Sequence, residues 1–129
     1  MMSGKVEKIS EAEAEIMRAV WGHQGPVTYT YLRTLLTEQK GWESPTVNTL
    51  VNRLVKKGIL NQEKKEVYYY TATLSEKEYT LEKTKAFIQK VYGGSAKGLV
   101  SALFTNHDIT QEDFNELREQ WSREEKEDE

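Results

Sequence analysis

The chain has 129 residues, 37% hydrophobic and 30% charged, with a formal net charge of −3, the profile of one soluble globular domain or of one small domain with an appendage. It contains no cysteine, which excludes disulfide frameworks, thiolate metal sites and cysteine nucleophiles. No run approaches the roughly 20 apolar residues of a membrane span and no apolar signal region opens the chain, so a cytoplasmic protein without membrane attachment is expected.

Met1 to Lys8 lacks a periodic apolar pattern and is expected to fray. Ser10 with Glu13 three residues on forms a capping box, opening a helix whose buried face is read as Ala12, Ile16, Ala19 and Val20 and which stops near Gly22. His23-Gln24-Gly25-Pro26 reads as a loop. Thr28 caps a second helix with apolar residues Leu32, Leu35 and Leu36, fading by Lys40-Gly41.

Ser44 as N-cap and Pro45 as first helical residue open a third helix, because proline lacks only an N–H that has no partner there. Val47, Leu50, Val51 and Leu54 follow i, i+3, i+4, i+7 and give one buried stripe. Gly58 suits a left-handed cap after Lys57, so this helix spans about Pro45 to Lys57. The period then changes. Ile59–Lys64 and Val67–Thr73 read as two strands around a polar turn at Lys65-Glu66, the second dense in β-branched and aromatic residues.

From Leu74 the chain is helical again. Leu74-Ser75 with Glu78-Tyr79 combines a capping box with a hydrophobic staple, and that helix runs to about Tyr92 before Gly93-Gly94. Ser95 opens a short helix, Asn106-His107-Asp108 turns, and Ile109-Thr110 with Asp113-Phe114 repeats the cap and staple. The last helix is expected to dissolve into a disordered acidic end over Ser122–Glu129.

Charge is unevenly distributed. Residues 1–73 carry +2 and residues 74–129 carry −5, while residues 40–65 hold six basic side chains (Lys40, Arg53, Lys56, Lys57, Lys64, Lys65) against Glu43 and Glu63. A basic stretch in an acidic chain is a local field suited to a polyanion, although a solvated helix face with a lysine-bearing turn gives the same count.

Three helices followed by a hairpin is the order of a winged helix-turn-helix, whose second motif helix lies in the DNA major groove. The expected fold is therefore mainly α with a small β-hairpin wing: a DNA-binding domain over 1–74 and a helical dimerisation domain over 75–129. At 100° per residue, the face opposite the buried stripe of the third helix presents Pro45, Thr49, Asn52 and Lys56, flanked by Thr46, Asn48 and Arg53. Arg pairs bidentately with guanine, Asn with adenine, and a Thr methyl meets the thymine methyl. An ordinary amphipathic helix carries Glu/Lys pairs on its outer face, whereas no acid lies between Ser44 and Lys57. Lys56 is a candidate for a phosphate contact, and Lys64 and Lys65, at the hairpin tip, for a phosphate or the adjacent minor groove. A solvated turn is the alternative for the last two, and Glu66 weakens that site.

The C-terminal helices offer Phe87, Val91, Leu99, Val100, Leu103, Phe104, Phe114, Leu117 and Trp121. About 50 residues seldom build a self-sufficient core, so these side chains are expected to bury against a second copy. A homodimer then places two recognition helices on a palindromic double-stranded operator. No cofactor or metal site is expected, since His23 and His107 are isolated and Gly93-Gly94-Ser95 fits no phosphate loop; an enzyme is therefore not expected. A winged-helix protein-interaction module is the rival reading, and an acid-free recognition helix disfavours it.

With these residues in place, the chain resembles the penicillinase and methicillin-resistance repressors, the BlaI/MecI/CopY group. The resemblance rests on Ile9-Ser10-Glu11-Ala12-Glu13 with Ile16-Met17 and Val20-Trp21, Trp42 with Thr46-Val47 and Thr49-Leu50, Arg53 to Gly58, Val67 to Thr71, and Phe87 to Gly94. It implies a dimeric repressor of an antibiotic-resistance or metal- or stress-response operon, touching DNA at Thr46, Thr49 and Arg53. There are departures. Pro45 stands where the β-lactam branch often has lysine, and Glu66 where arginine is usual. An inactivating protease cuts that branch at an Asn-Phe bond, and Ala102-Leu103 is the aligned pair here. Copper-responsive members bind Cu(I) through a C-terminal cysteine cluster that this chain lacks.

Overall fold

The computed structural model describes residues 4–128; Met1–Ser3 and Glu129, and the expectations of disorder that touch them, lie outside that description. Contacts divide the chain into two compact units between Lys83 and Thr84. The boundary falls inside a helix rather than at residue 74, because Leu74 and Tyr79 are core residues of the first unit.

The first unit opens with a 3-10 turn, Val6–Lys8, instead of a frayed end. Val6 and Ile9 are 5% and 6% exposed; two isolated apolar residues leave no period to read, yet they close one edge of the core. Helix α1 (Glu11–Trp21) carries the expected capping box, Ser10 with Glu13. Its inward residues are Ala14, Ile16, Met17, Ala19 and Val20, while Ala12 is exposed, contrary to the sequence reading. The box turns Glu13 inward, and the buried face rotates with it.

Strand β1 (Val27–Thr28) and helix α2 (Tyr29–Lys40) follow, with Thr28 accepting from the Tyr31 N–H at 3.1 Å. Gly41 ends α2 at φ 69°, a left-handed conformation in which an L side chain is strained. Helix α3 spans Ser44–Lys56, so Glu43 rather than Ser44 is the N-cap, and no side chain caps it. Val47, Leu50, Val51 and Leu54 are buried as the spacing requires, each contributing about 1.5–3 kcal/mol of apolar burial. Gly58 takes φ 78° as expected.

Strands β2 (Leu60–Lys64) and β3 (Tyr68–Ala72) form the hairpin, and β3 is central in an antiparallel three-stranded sheet of order β1-β3-β2. The third strand was not legible because two residues carry no alternation; Val27 pairs with Tyr70 and Thr28 with Tyr69. Thr73 pins the base of the hairpin, donating its hydroxyl toward the carbonyls of Gly58 (2.7 Å) and Ile59 (3.0 Å).

Helix α4 (Glu76–Tyr92) begins in this unit. Ser75 Oγ accepts from the Glu78 N–H at 3.0 Å, and Trp21 donates Nε1–H to the Leu74 carbonyl at 2.9 Å while its ring lies 5.3 Å from that of Tyr79. The result is a helix-turn-helix with a wing.

The second unit holds the rest of α4, α5 (Ala96–Thr105) and α6 (Gln111–Asp128). Ser95 caps α5 on the Gly98 N–H at 2.9 Å, and Thr110 with Asp113 forms a reciprocal box at the start of α6. Helix α6 continues to Asp128, so the expected disordered acidic end is instead helical through the described residues. Glu, Lys and Arg are good helix formers, and Gln120 donates to Glu124 one turn on at 3.4 Å. Among the described residues no helix is long and apolar enough to cross a membrane.

Candidate nucleic-acid interface

The interface starts from the punctuation of α3. Pro45 sits in its first turn and no acid follows there, while Arg53 and Lys56 occupy the last turn. Its cations therefore gather toward the C-terminal end, and no carboxylate lies along the helix to oppose a polyanion.

Burying one stripe forces the other outward. Thr46, Asn48, Thr49, Asn52, Arg53 and Lys56 are all exposed, and the sequence-derived face is brought together on one helix. None of these six side chains makes a hydrogen bond or ion pair among the described residues. A surface of unsatisfied donors on a rigid, acid-free helix can bind base edges without first breaking internal bonds.

Two of the six basic residues counted toward the local field are committed elsewhere. Lys57 Nζ lies 2.7 and 2.8 Å from the carboxylate oxygens of Glu13 and 2.8 Å from the Lys8 carbonyl. Lys40 pairs with Glu15 at 2.8 Å. The basic stretch is thus narrower than the sequence count, and what remains free on α3 is Arg53 and Lys56. Burial pushes the Glu13 carboxyl up, but the Lys57 ammonium and the Ser10 N–H outweigh it and hold the group below its ordinary 4.5. The Lys40 and Arg18 cations hold Glu15 down in the same way.

The wing separates its two lysines. Lys64 Nζ lies 5.7 Å from the Tyr68 ring centre, beside a groove of about 400 Å³ lined by Thr28–Thr30, Glu66, Val67 and Tyr68. Lys65 lies 5.9 Å from the Tyr69 ring and 3.6 Å from Glu63, in a pocket with Pro26 and Thr71 on a different part of the hairpin. Tyr70 is buried and Tyr69 half-buried, as a packed strand requires; Tyr68 is exposed where the hairpin runs past the core.

One contact was not foreseen. The Tyr29 hydroxyl, at the first position of α2, donates to the Ser44 carbonyl at 2.9 Å and lies 2.9 Å from Ser44 Oγ. The available signal was an aromatic residue outside the Leu32, Leu35 and Leu36 stripe.

In the second unit, Phe87, Val91, Val100, Phe104, Leu117 and Trp121 are exposed, and Leu99, Leu103 and Phe114 are half-buried. Val100, Phe104, Ile109, Phe114, Leu117, Arg118 and Trp121 line an apolar groove of about 280 Å³. The Phe104 and Phe114 rings meet at 5.5 Å. Ala102 and Leu103 lie within α5, both half-buried.

The sequence model of the penicillinase repressor family matches residues 9–123. The penicillinase repressor of Bacillus licheniformis is 32% identical over 114 residues, 88% of each chain. The methicillin resistance regulatory protein MecI of Staphylococcus aureus (strain N315) is 32% identical over 121 residues, covering 91% of this chain and 95% of MecI. Among solved structures, the DNA-binding domain of the repressor BlaI superposes with a TM-score of 0.52 at 32% identity, over 61% of this chain and 94% of that domain. The monomeric form of Bacillus licheniformis BlaI in complex with the blaP half-operator superposes with a TM-score of 0.50 at 35% identity, over 55% of this chain and 87% of that one.

Proposed function

The chain belongs to the penicillinase repressor family, and from that premise we propose that it is a DNA-binding transcriptional repressor, not an enzyme, acting as a cytoplasmic homodimer on a palindromic operator. The observation that carries this reading is the outward face of α3: six exposed polar or basic side chains with no internal partner and no acid among them. A relative solved on a half-operator supports the assignment.

In this reading Arg53, Asn48 and Asn52 supply bidentate contacts to base edges, Thr46 and Thr49 supply hydroxyl and methyl contacts, and Lys56 neutralises a phosphate. Lys64 and Lys65 reach the backbone from the wing, Lys64 the more effectively because Glu63 stands beside Lys65. DNA binding belongs to residues 1–74 and the start of α4, dimerisation to the helices beyond.

The dimer is supported by apolar chemistry. Six large side chains of the second unit stand exposed and none of its described residues is in the buried core, a pattern that a second copy of the same surface relieves. Two α3 helices then face half-sites about one helical turn, or a multiple, apart. The regulated genes are proposed to be an antibiotic-resistance or a metal- or stress-response operon. If an inactivating protease acts at the family position, it must cut Ala102-Leu103 inside α5.

Selection from a random duplex pool, followed by filter binding across salt, tests the function. An enriched inverted repeat whose affinity falls linearly with log salt is expected. Enrichment of no sequence, or salt-independent binding, overturns it.

A further inference from the structure

Helix α3 must hold a fixed pose to place base-reading side chains, yet its N-terminus lacks the usual anchor. Glu43 is the N-cap and makes no side-chain cap bond, and Pro45 has no N–H to offer. The first-turn amides of Thr46 and Val47 turn back only to the Glu43 carbonyl, at 3.0 and 3.2 Å. Beyond the apolar packing of Val47, the side-chain hydrogen bonds that tie this end to the rest of the molecule come from Tyr29. Its ring packs against the core, and its hydroxyl donates to the Ser44 carbonyl while accepting from, or donating to, Ser44 Oγ, both at 2.9 Å. One hydrogen assignment satisfies both oxygens: phenol to carbonyl, serine hydroxyl to phenol.

Tyr29 also lines the groove beside the wing, together with Lys64, Val67 and Tyr68. It therefore stands between the two elements that would straddle one DNA backbone. In a helix-turn-helix the N-terminal residues of the recognition helix reach base edges, and Thr46, Asn48 and Thr49 follow Ser44 within two turns. A small displacement of that end moves all three, while the free cations Arg53 and Lys56 sit at the other end.

We propose that Tyr29 is a positioning residue for sequence recognition: its hydroxyl, through Ser44, fixes the first turn of α3 relative to the wing. The proposal rests on the reading that α3 enters a duplex. It assigns Tyr29 to discrimination rather than to general affinity, because the phenol carries no charge to phosphate and its loss leaves every cation in place.

The test uses Tyr29→Phe, which keeps the ring packing and removes both hydrogen bonds, in the full chain. The probes are a duplex selected from a random pool by the unsubstituted protein and a scrambled duplex of equal length. Affinity for the selected duplex should fall about threefold to tenfold, the worth of one or two net hydrogen bonds. Affinity for the scrambled duplex and the salt slope should not change. Amide exchange at Val47 and Asn48 should quicken in the DNA-free protein. Ser44→Ala, which retains the carbonyl acceptor, should show a smaller loss, and the double variant should be no worse than Tyr29→Phe.

Equal losses on both duplexes, or unchanged affinity for both, would overturn the positioning role even if exchange quickens. An unsubstituted protein that enriches no duplex overturns the proposed function itself, and the positioning role with it. The two failures are thus distinguished by the unsubstituted protein alone.

Discussion

The ammonium of Lys57 spends all three of its donors on α1 and the turn before it: two on the carboxylate of Glu13, at 2.7 and 2.8 Å, and one on the Lys8 carbonyl, at 2.8 Å. Lys57 is the C-cap of α3, and Glu13 simultaneously accepts from the Ser10 N–H at 2.8 Å. One carboxylate therefore closes the N-terminus of α1 and anchors the C-terminus of α3. Tyr29 holds the opposite end.

Breaking this pair from the cationic side leaves the Glu13 carboxylate, 1% exposed, without a counter-ion. Lys57→Met is expected to destabilise the protein by about 2–3 kcal/mol, below the full cost of a buried broken pair because the lysine side chain is one-third exposed. Urea denaturation at neutral pH measures it. A change under about 0.5 kcal/mol contradicts the anchoring role.

Acid should act through the same group. Glu13 has a folded-state pKa below its ordinary 4.5, so its contribution is fully present above 4.5 and is lost as pH falls through the lowered value. Glu15, held down by Lys40 and Arg18, adds in the same direction. The urea midpoint should decline below pH 4.5, and the Glu13→Gln protein should start lower at neutral pH and decline less. Parallel profiles for the two proteins would refute the linkage.

On α3, Arg53→Ala should cost about 1–3 kcal/mol against the selected duplex and relax preference at one base pair of each half-site. Fluorescence anisotropy against single-substitution duplexes reads both. An affinity loss with unchanged base preference would reassign Arg53 to phosphate.

Cations that neutralise phosphates leave a different trace. Lys56→Ala should weaken binding to all sequences alike and lower the salt slope by about one. Lys64→Ala should do the same, and Lys65→Ala should do less, since Glu63 lies 3.6 Å from its ammonium. Equal effects of Lys64 and Lys65 would show that the wing presents both lysines to DNA.

The apolar groove of the second unit gives the dimer test. Phe104 and Trp121 are 40% and 67% exposed, so Phe104→Asp or Trp121→Asp should leave the fold of each unit intact. Sedimentation should report monomers, and binding to an inverted repeat should drop to the level of a half-site. Dimers that survive both substitutions would move the interface elsewhere.

Legibility in the sequence followed the length and regularity of each signal. The α3 stripe of Val47, Leu50, Val51 and Leu54 spans two turns, so its spacing alone defines both the buried side and the outward face. Ser10 with Glu13, and Thr110 with Asp113, were readable because a capping box is local. What escaped was short or long-range. Strand β1 has two residues, the Val6–Lys8 turn has one apolar contact point, and the Tyr29–Ser44 and Lys57–Glu13 bonds join residues 15 and 44 positions apart. Lys57 and Lys40 look like free charge in a sequence; only the fold brings Glu13 and Glu15 against them. Ser44 resembled an N-cap because the Ser-Pro pair has that form, but its hydroxyl is engaged by Tyr29 and the helix starts one residue earlier. Charge alone suggests disorder at the acidic end, although its glutamates, Arg123 and Lys126 favour the helix they extend.

The outward face of α3 is most directly tested by mapping amide chemical shifts of the labelled full chain during titration with the selected duplex. Perturbations should be largest at Thr46, Asn48, Thr49, Asn52, Arg53, Lys56 and Lys64, smaller along the buried stripe between them, and least in α6. Shifts confined to other surfaces, with Asn48, Asn52 and Arg53 silent at saturation, would show that this helix does not read DNA.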